Sequence, residues 1–193
     1  MNYSKDTKAS LRTAALAYRK QLSASDRQLF STQIIAKLNA YFASRSAPST
    51  SLLLYRAMAS EVATDRLFQQ SHCHLYAPVT HHHQHMEWLL IKPDTRWHKG
   101  LFGVLEPCSG KAWQNEASTT LVCPLTAFDR HGNRLGMGKG CFDYWLSTHR
   151  HTLDQVIGLA FSGQEVAQIP AEGHDVPLDC IITEKEVIEC PKA

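Results

Sequence analysis

Residues 119–125, TTLVCPL, form an apolar stretch too short for a helix and apolar on both alternating faces, as a strand buried on two sides must be. Ser51–Tyr55 (SLLLY) has the same character, and Leu75–Val79, Met86–Ile91, Val156–Phe161 and Cys180–Thr183 are further strand candidates. Between and before them the apolar period changes to that of helices. Leu11, Ala15, Tyr18 and Leu22 share one helical stripe, with Lys8, Arg12 and Arg19 on an adjacent one. Phe30, Ile34, Leu38 and Phe42 mark a second helix, which Ser23 or Ser25 can cap. Thr64–Gln70 reads as the start of a helix, and a further helix is expected near Phe142–His149. Residues 44–51 read as a loop, and Thr80–His85 as a His-rich turn. Strands that alternate with helices and are apolar throughout predict an α/β sheet covered on both faces.

At 193 residues the chain is long enough to bury about 70% of its unfolded surface without disulfides or metal. It shows no internal repeat or linker, so one domain over residues 1–193 is expected. Hydrophobic residues at 44% and charged residues at 20% exclude wholesale disorder. No apolar run approaches the roughly 18 residues of a membrane helix. Lys5, Asp6, Lys8, Arg12 and Arg19 interrupt any secretory core near the start. A soluble, cytoplasmic chain with no membrane partner is the expectation. The formal charge of +2 is too mild to imply a nucleic-acid partner, and Arg130, Arg134 and Lys139 lack interleaved exposed aromatics. The six cysteines include no CxxC pair, and Cys123 and Cys180 lie in apolar stretches where a thiol acts as a small core hydrophobe. His81, His82, His83 and His85, with His72 and His74 nearby, invite a metal reading. Neighbouring histidines on a short turn cannot all converge on one ion, so a surface turn is expected instead.

The segment Leu121–Leu146, LVCPLTAFDRHGNRLGMGKGCFDYWL, carries the strongest chemical signal. Its order is strand, polar loop, Gly136-Met137-Gly138-Lys139-Gly140, helix. Alternating glycines let backbone N–H groups converge on an anion, and the following helix N-terminus adds a positive dipole. Arg134 and Lys139 supply side-chain charge for phosphate oxygens. Neither the P-loop nor the dinucleotide glycine pattern is matched, so local sequence leaves a phosphate cradle and a plain surface turn both open.

Beyond that loop, the chain resembles the 5-formyltetrahydrofolate cyclo-ligase family, also called methenyltetrahydrofolate synthetases. AFDRHGNRLGMGKGCFD at Ala127–Asp143 is similar to that family's signature. KASLR at Lys8–Arg12, EVAT at Glu61–Thr64, GVLEP at Gly103–Pro107 and IPAEGHDVPLD at Ile169–Asp179 follow in the family's order. The resemblance implies a three-layer α/β sandwich of the NagB/ribose-5-phosphate-isomerase/CoA-transferase-like type. It also implies ATP- and Mg²⁺-dependent closure of 5-formyltetrahydrofolate to 5,10-methenyltetrahydrofolate, in a protein expected to be a monomer.

By the family's pattern, Lys139 and Arg134 act on the transferring phosphoryl group. Lys8, Arg12, Arg134, Leu135, Gly136, Met137, Gly138, Lys139, Gly140, Cys141 and Phe142 would bind ATP. Asp143 and Asp175 would hold magnesium. Met58, Glu61, Met86 and Trp97 would contact the folate. Two positions depart from the family. Ala63 stands where a second acid is usual, two residues after Glu61, and Phe142 stands where the family has Tyr. Each departure removes a polar handle, which leaves a relative that binds nucleotide or folate without turnover as the alternative.

Overall fold

The computed structural model describes residues 7–46, 49–69, 72–173 and 175–191. Helix α1 (Lys8–Gln21) starts where the Thr7 hydroxyl accepts from the Ser10 N–H, and α2 (Ala24–Ala43) where the Ser23 hydroxyl accepts from the Asp26 N–H. Each cap satisfies a backbone donor that a helix start leaves without a partner. Strands β1 (Ser51–Leu54), β2 (His74–His82) and β3 (His85–Leu90) follow, then the short hairpin of β4 (Trp97–Lys99) and β5 (Leu105–Pro107). Next come β6 (Thr119–Pro124), a second small hairpin of β7 (Ala127–Phe128) and β8 (Arg134–Leu135), and helix α3 (Cys141–His149). Strands β9 (Gln155–Leu159), β10 (Cys180–Ile182) and β11 (Val187–Glu189) complete the chain.

Seven strands pair in the order β11-β10-β9-β6-β1-β2-β3. The five inner strands are parallel, and β3 and β11 run antiparallel at the two edges. Alternation along each inner strand divides the core in two. Leu53, Leu121, Cys123 and Val156 face one way and pack with Trp145 and Leu146 of α3. Leu52, Leu54, Val122 and Ile157 face the other way, against Ile34, Ile35 and Leu38 of α2. The fold is therefore a three-layer α/β arrangement, and the uniform apolarity of β1 and β6 reflects burial on both faces.

Several local expectations are corrected. The helix expected from Thr64 is only a 3-10 turn, Asp65–Gln69, and Gln70 lies outside the described residues. The His-rich turn is tighter than expected: β2 runs through His82, β3 restarts at His85, and only His83 and Gln84 turn. Among the described residues no cluster of His, Cys, Asp and Glu has metal-holding geometry, and His81 instead pairs with Glu87 at 2.7 Å. Arg19, counted with the charged stripe of α1, is 1% exposed and lies with Leu11 and Ala15 on the buried side. Cys123 and Cys180 are fully buried, as their apolar neighbours implied. Among the described residues no helix is long and apolar enough to cross a membrane.

Candidate active site

The chain order reverses between two central strands. From β1 it steps to β2 and β3 on one side, and from β6 to β9 and β10 on the other. In open α/β sheets such a reversal leaves a crevice beyond the carboxyl ends of the two strands. Here that crevice is a cavity of about 160 Å³. Tyr55, Arg56, Met58 and Glu61, which follow β1, line one wall. Pro124, Leu125 and Thr126, at the end of β6, form its floor, and the glycine loop with the first turn of α3 forms the opposite wall.

The glycine-loop wall is assembled by the β7–β8 hairpin. Asp129 is fully buried at its turn, where Oδ1 accepts from the N–H groups of His131 and Asn133 at 3.0 and 3.1 Å, and Oδ2 accepts from the Ile169 N–H at 2.9 Å. This directs β8 into Gly136. Gly138 and Gly140 adopt φ of 87° and 72°, a region costly for any residue with a side chain. Gly140 is also the N-cap of α3 and has no side chain to cap it, so the helix begins with its N–H groups uncovered beside the cavity. Arg134, almost wholly buried, donates through Nη2 to Asp143 Oδ1 at 2.5 Å and through Nη1 to the Val176 carbonyl. Lys139 lies over the Phe102 ring, 5.7 Å from its centre. Arg12 Nε donates to the Gly136 carbonyl at 3.0 Å and so ties α1 to the loop.

The wall after β1 is held differently. Glu61 Oε2 accepts from the Met58 N–H at 2.9 Å, and Oε1 lies 3.8 Å from Arg19 Nη2. Arg19 donates to the Ser60 carbonyl at 2.8 Å and to the Ser60 hydroxyl at 2.6 Å, while its buried Nη1 has no hydrogen-bond partner among the described residues. Burial pushes the Glu61 carboxyl above its ordinary range, and the Met58 N–H and the Arg19 charge partly offset that push. Burial also lowers Arg19 below the usual guanidinium value, against the opposing pull of Glu61.

The structure thus brings together Met58, Glu61, Arg134, Gly136, Met137, Lys139, Gly140, Cys141, Phe142 and Asp143 around one cavity. Leu135 is a buried core residue beneath the loop, and Gly138 lies on the loop near Arg12. Met86 does not line the cavity; it is 6% exposed and packed in the core with Trp88. Trp97 lies behind the wall, its ring 4.6 Å from the Arg56 guanidinium carbon. Lys8 and Asp175 pair at 2.7 Å in a cluster with Glu172, at 3.2 Å from Lys8, and this cluster is also outside the cavity lining. Burial lowers Lys8, but the hydrogen bonds and charges of Asp175 and Glu172 outweigh it and raise the amine overall. Ala63 faces away from the cleft, into a small hollow with Gln28, Ser31 and Arg66. Arg56, Phe102, Glu106 and Arg19 were missed as site residues; GVLEP contains Glu106, but no periodicity marks it as a wall residue.

The family model of the 5-formyltetrahydrofolate cyclo-ligase family matches residues 4–184. The chain belongs to that family. Its sequence is 35% identical, over 135 residues, to the 5-formyltetrahydrofolate cyclo-ligase of Haemophilus influenzae, a match covering 66% of this chain and 72% of that protein. The fold superposes on the 5,10-methenyltetrahydrofolate synthetase of Aquifex aeolicus with a TM-score of 0.80 at 27% identity, covering 96% of this chain and 94% of that one. The synthetase from Mycoplasma pneumoniae, at 23% identity and a TM-score of 0.74, covers 92% of this chain and 98% of that one and shares the fold. Family membership accounts for the order of the sequence blocks, and the cavity gathers residues from three of them: Glu61, Val104 and Glu106, and the glycine segment.

Proposed function

We propose that this chain is an ATP-dependent 5-formyltetrahydrofolate cyclo-ligase, forming 5,10-methenyltetrahydrofolate, ADP and phosphate. The observation that carries the reading is the single cleft in which a basic glycine loop at an uncapped helix start faces Met58 and the buried Glu61. An N-formyl group is a poor electrophile. Its oxygen attacks the γ-phosphorus of ATP and ADP leaves; N10 then adds to the activated carbon, loses its proton, and phosphate departs. Phosphoryl transfer of this kind needs positioning and charge neutralisation more than a protein nucleophile.

Lys139 and Arg134 neutralise the transferring group, and the N–H groups of Gly136–Gly140 and α3 hold the phosphates. Arg12 keeps the loop in place through Gly136, and Lys8 lies one helical turn away. Glu61 accepts substrate N–H groups, while Met58 and Phe142 supply apolar surface. For magnesium, the donor set fits: Asp143 presents a carboxylate at the cavity edge, oriented by Arg134, and Mg²⁺ favours one or two carboxylates with phosphate and water. When bound, the ion neutralises charge on the phosphates. Asp175, which pairs with Lys8 at 2.7 Å, would be the second carboxylate to hold the ion. The protein is proposed to work as a cytoplasmic monomer in one domain.

The test is formation of methenyltetrahydrofolate, followed by absorbance, with ATP, Mg²⁺ and 5-formyltetrahydrofolate. A single-turnover measurement of phosphate release separates catalysis from mere binding. Tight binding of both substrates with no phosphate released would make the chain a binding relative instead.

A further inference from the structure

Glu106 is the one carboxylate of the cleft that the reading above leaves without a task. It projects from β5 into the cavity wall and is 5% exposed. Its Oε1 accepts from the Thr80 N–H at 3.1 Å, and no ion pair among the described residues involves it. Arg134 is engaged by Asp143, and Lys139 lies over Phe102. A carboxylate so far out of water is costly to keep unless its oxygens find donors.

The surrounding backbone is shaped to admit it. Gly100 opens the β4–β5 turn, where its N–H donates to the Val104 carbonyl at 2.8 Å. A Cβ at Gly100 would lie 2.0 Å from the Glu106 carboxyl carbon and 2.1 Å from Oε2, so the carboxylate occupies the space a side chain at position 100 would take. Oε1 is held by Thr80 and the carboxylate is seated over Gly100; among the described residues no hydrogen bond engages Oε2, which leaves that oxygen of a cavity-lining residue to serve a ligand. A nucleotide triphosphate would be repelled by it. A folate is the complementary ligand, because its reduced pterin and N10 carry N–H donors and no anionic group at that end.

We propose that Glu106 is a second substrate-binding carboxylate, accepting a hydrogen bond from an N–H of the bound reduced folate and so selecting folate over nucleotide at this end of the cleft. The inference rests on the cyclo-ligase reading. It assigns Glu106, held by Thr80 of β2, a contact separate from that of Glu61 on the wall after β1.

The experiment compares Glu106→Gln and Gly100→Ala with the wild type by calorimetric titration with 5-formyltetrahydrofolate and, separately, with ATP and Mg²⁺. Glutamine keeps an oxygen for Thr80 but turns an NH₂ donor toward the substrate N–H; alanine at position 100 displaces the carboxylate without changing its charge. Both variants should weaken folate binding at least tenfold, leave ATP binding within twofold, and melt within a few degrees of the wild type. A folded Glu106→Gln protein that binds folate within twofold of the wild type overturns the assignment and reduces Glu106 to an anchor between β5 and β2. Equal losses of folate and ATP affinity overturn it as well, because they report a distorted cleft. A wild type that binds ATP but not 5-formyltetrahydrofolate defeats the cyclo-ligase reading, and the Glu106 assignment with it.

Discussion

The segment after β1 keeps Glu61 buried beside Arg19 of α1, whereas the segment after β8 leaves Met137 to Gly140 exposed to solvent. Arg19 and Glu61 are both desolvated, fixed by Ser60 and the Met58 N–H before any ligand arrives. On the other wall Lys139 rests over an aromatic ring, a contact worth about 0.5–1 kcal/mol at an exposed site and easily exchanged for a phosphate. The difference suits the two ligands proposed for these walls. A heterocycle with few charges must be recognised by groups already in position, since it brings little electrostatic energy of its own. A triphosphate brings several charges and can draw in an exposed lysine and a glycine-rich backbone as it binds. On the proposed assignment of folate to the first wall and nucleotide to the second, the cleft is preorganised for the weakly charged ligand and adaptable for the strongly charged one.

The largest effect should come from breaking the buried wall. Arg19→Met leaves Glu61 without its cation and Ser60 without its donors, a loss on the order of 3 kcal/mol for a buried pair missing one partner. For a chain of this size that lowers Tm by roughly 6–12 °C. The pH dependence has a definite sign. Glu61 already lies above its ordinary value of 4.5 because of burial, and removing the Arg19 charge raises it further. A carboxyl raised in the folded state imposes no penalty below its unfolded pKa and an increasing one as pH rises through the folded value. The Tm deficit of Arg19→Met should therefore grow from acid to neutral pH, and the acid limb of kcat/KM for folate should move upward. A deficit independent of pH would mean that the pair does not govern Glu61.

The adaptable wall should respond in activity rather than stability. Lys139→Ala is expected to cut turnover about ten- to a thousandfold, the usual range for lost electrostatic stabilisation. Its stability should stay within about 0.5 kcal/mol of the wild type, as is usual at exposed positions. Stopped-flow phosphate release beside a melting curve reads both. Unchanged turnover in the folded variant would move phosphate neutralisation to Arg134 or Arg12.

A smaller effect is expected on magnesium. Asp143→Asn should raise the Mg²⁺ concentration needed for half-maximal turnover several-fold while keeping an oxygen for Arg134. Asp175→Asn should do the same only if its carboxylate leaves Lys8 for the ion. Sharing one ion makes the two substitutions clearly non-additive in a double-mutant cycle. Additive effects would place Asp175 in a structural cluster with Lys8 and Glu172.

What the sequence revealed of these walls follows from how local each signal is. β1 and β6 were legible because strands buried on both faces need unbroken apolar runs, and the glycine loop because positive φ and anion cradling both demand glycine. The hairpins β4–β5 and β7–β8, and the edge strand β11, were not. They are two or three residues long per strand and exist because tertiary partners such as Asp129 hold them. Arg19 misled the periodicity argument, since at 100° per residue it falls between Lys8 and Arg12, and only packing against Ser60 shows which cation is buried. Met86 and Trp97 were assigned to the folate by resemblance; their neighbours Trp88 and Arg56 draw them into the core and behind the wall. Glu106 depends on a contact with Gly100 across a hairpin turn, which no linear pattern records.

The least effect, and the sharpest test of the comparison, comes from the two positions where the family's usual polar groups are absent. Phe142 stands at the cleft, its ring edge-on to Trp88 at 6.0 Å and its position one residue before Asp143. Phe142→Tyr adds a hydroxyl at the join of the two walls, and one new hydrogen bond of about 1 kcal/mol would lower KM for folate about fivefold. Ala63 lies on the far side of its segment, where its N–H donates to the Ser31 hydroxyl of α2 at 3.1 Å. Ala63→Glu therefore places its carboxylate in the hollow beside Arg66 and Asp65, not in the cleft, and KM for folate should stay within twofold. Of the two departures, only Phe142 lines the cleft. Phe142→Tyr alters the cleft itself and Ala63→Glu the far side of the segment after β1, so steady-state kinetics on both tests the geometry. Should Ala63→Glu lower KM while Phe142→Tyr leaves it unmoved, the segment from Met58 to Thr64 must rotate when folate binds, and the wall described here as preorganised would be the adaptable one.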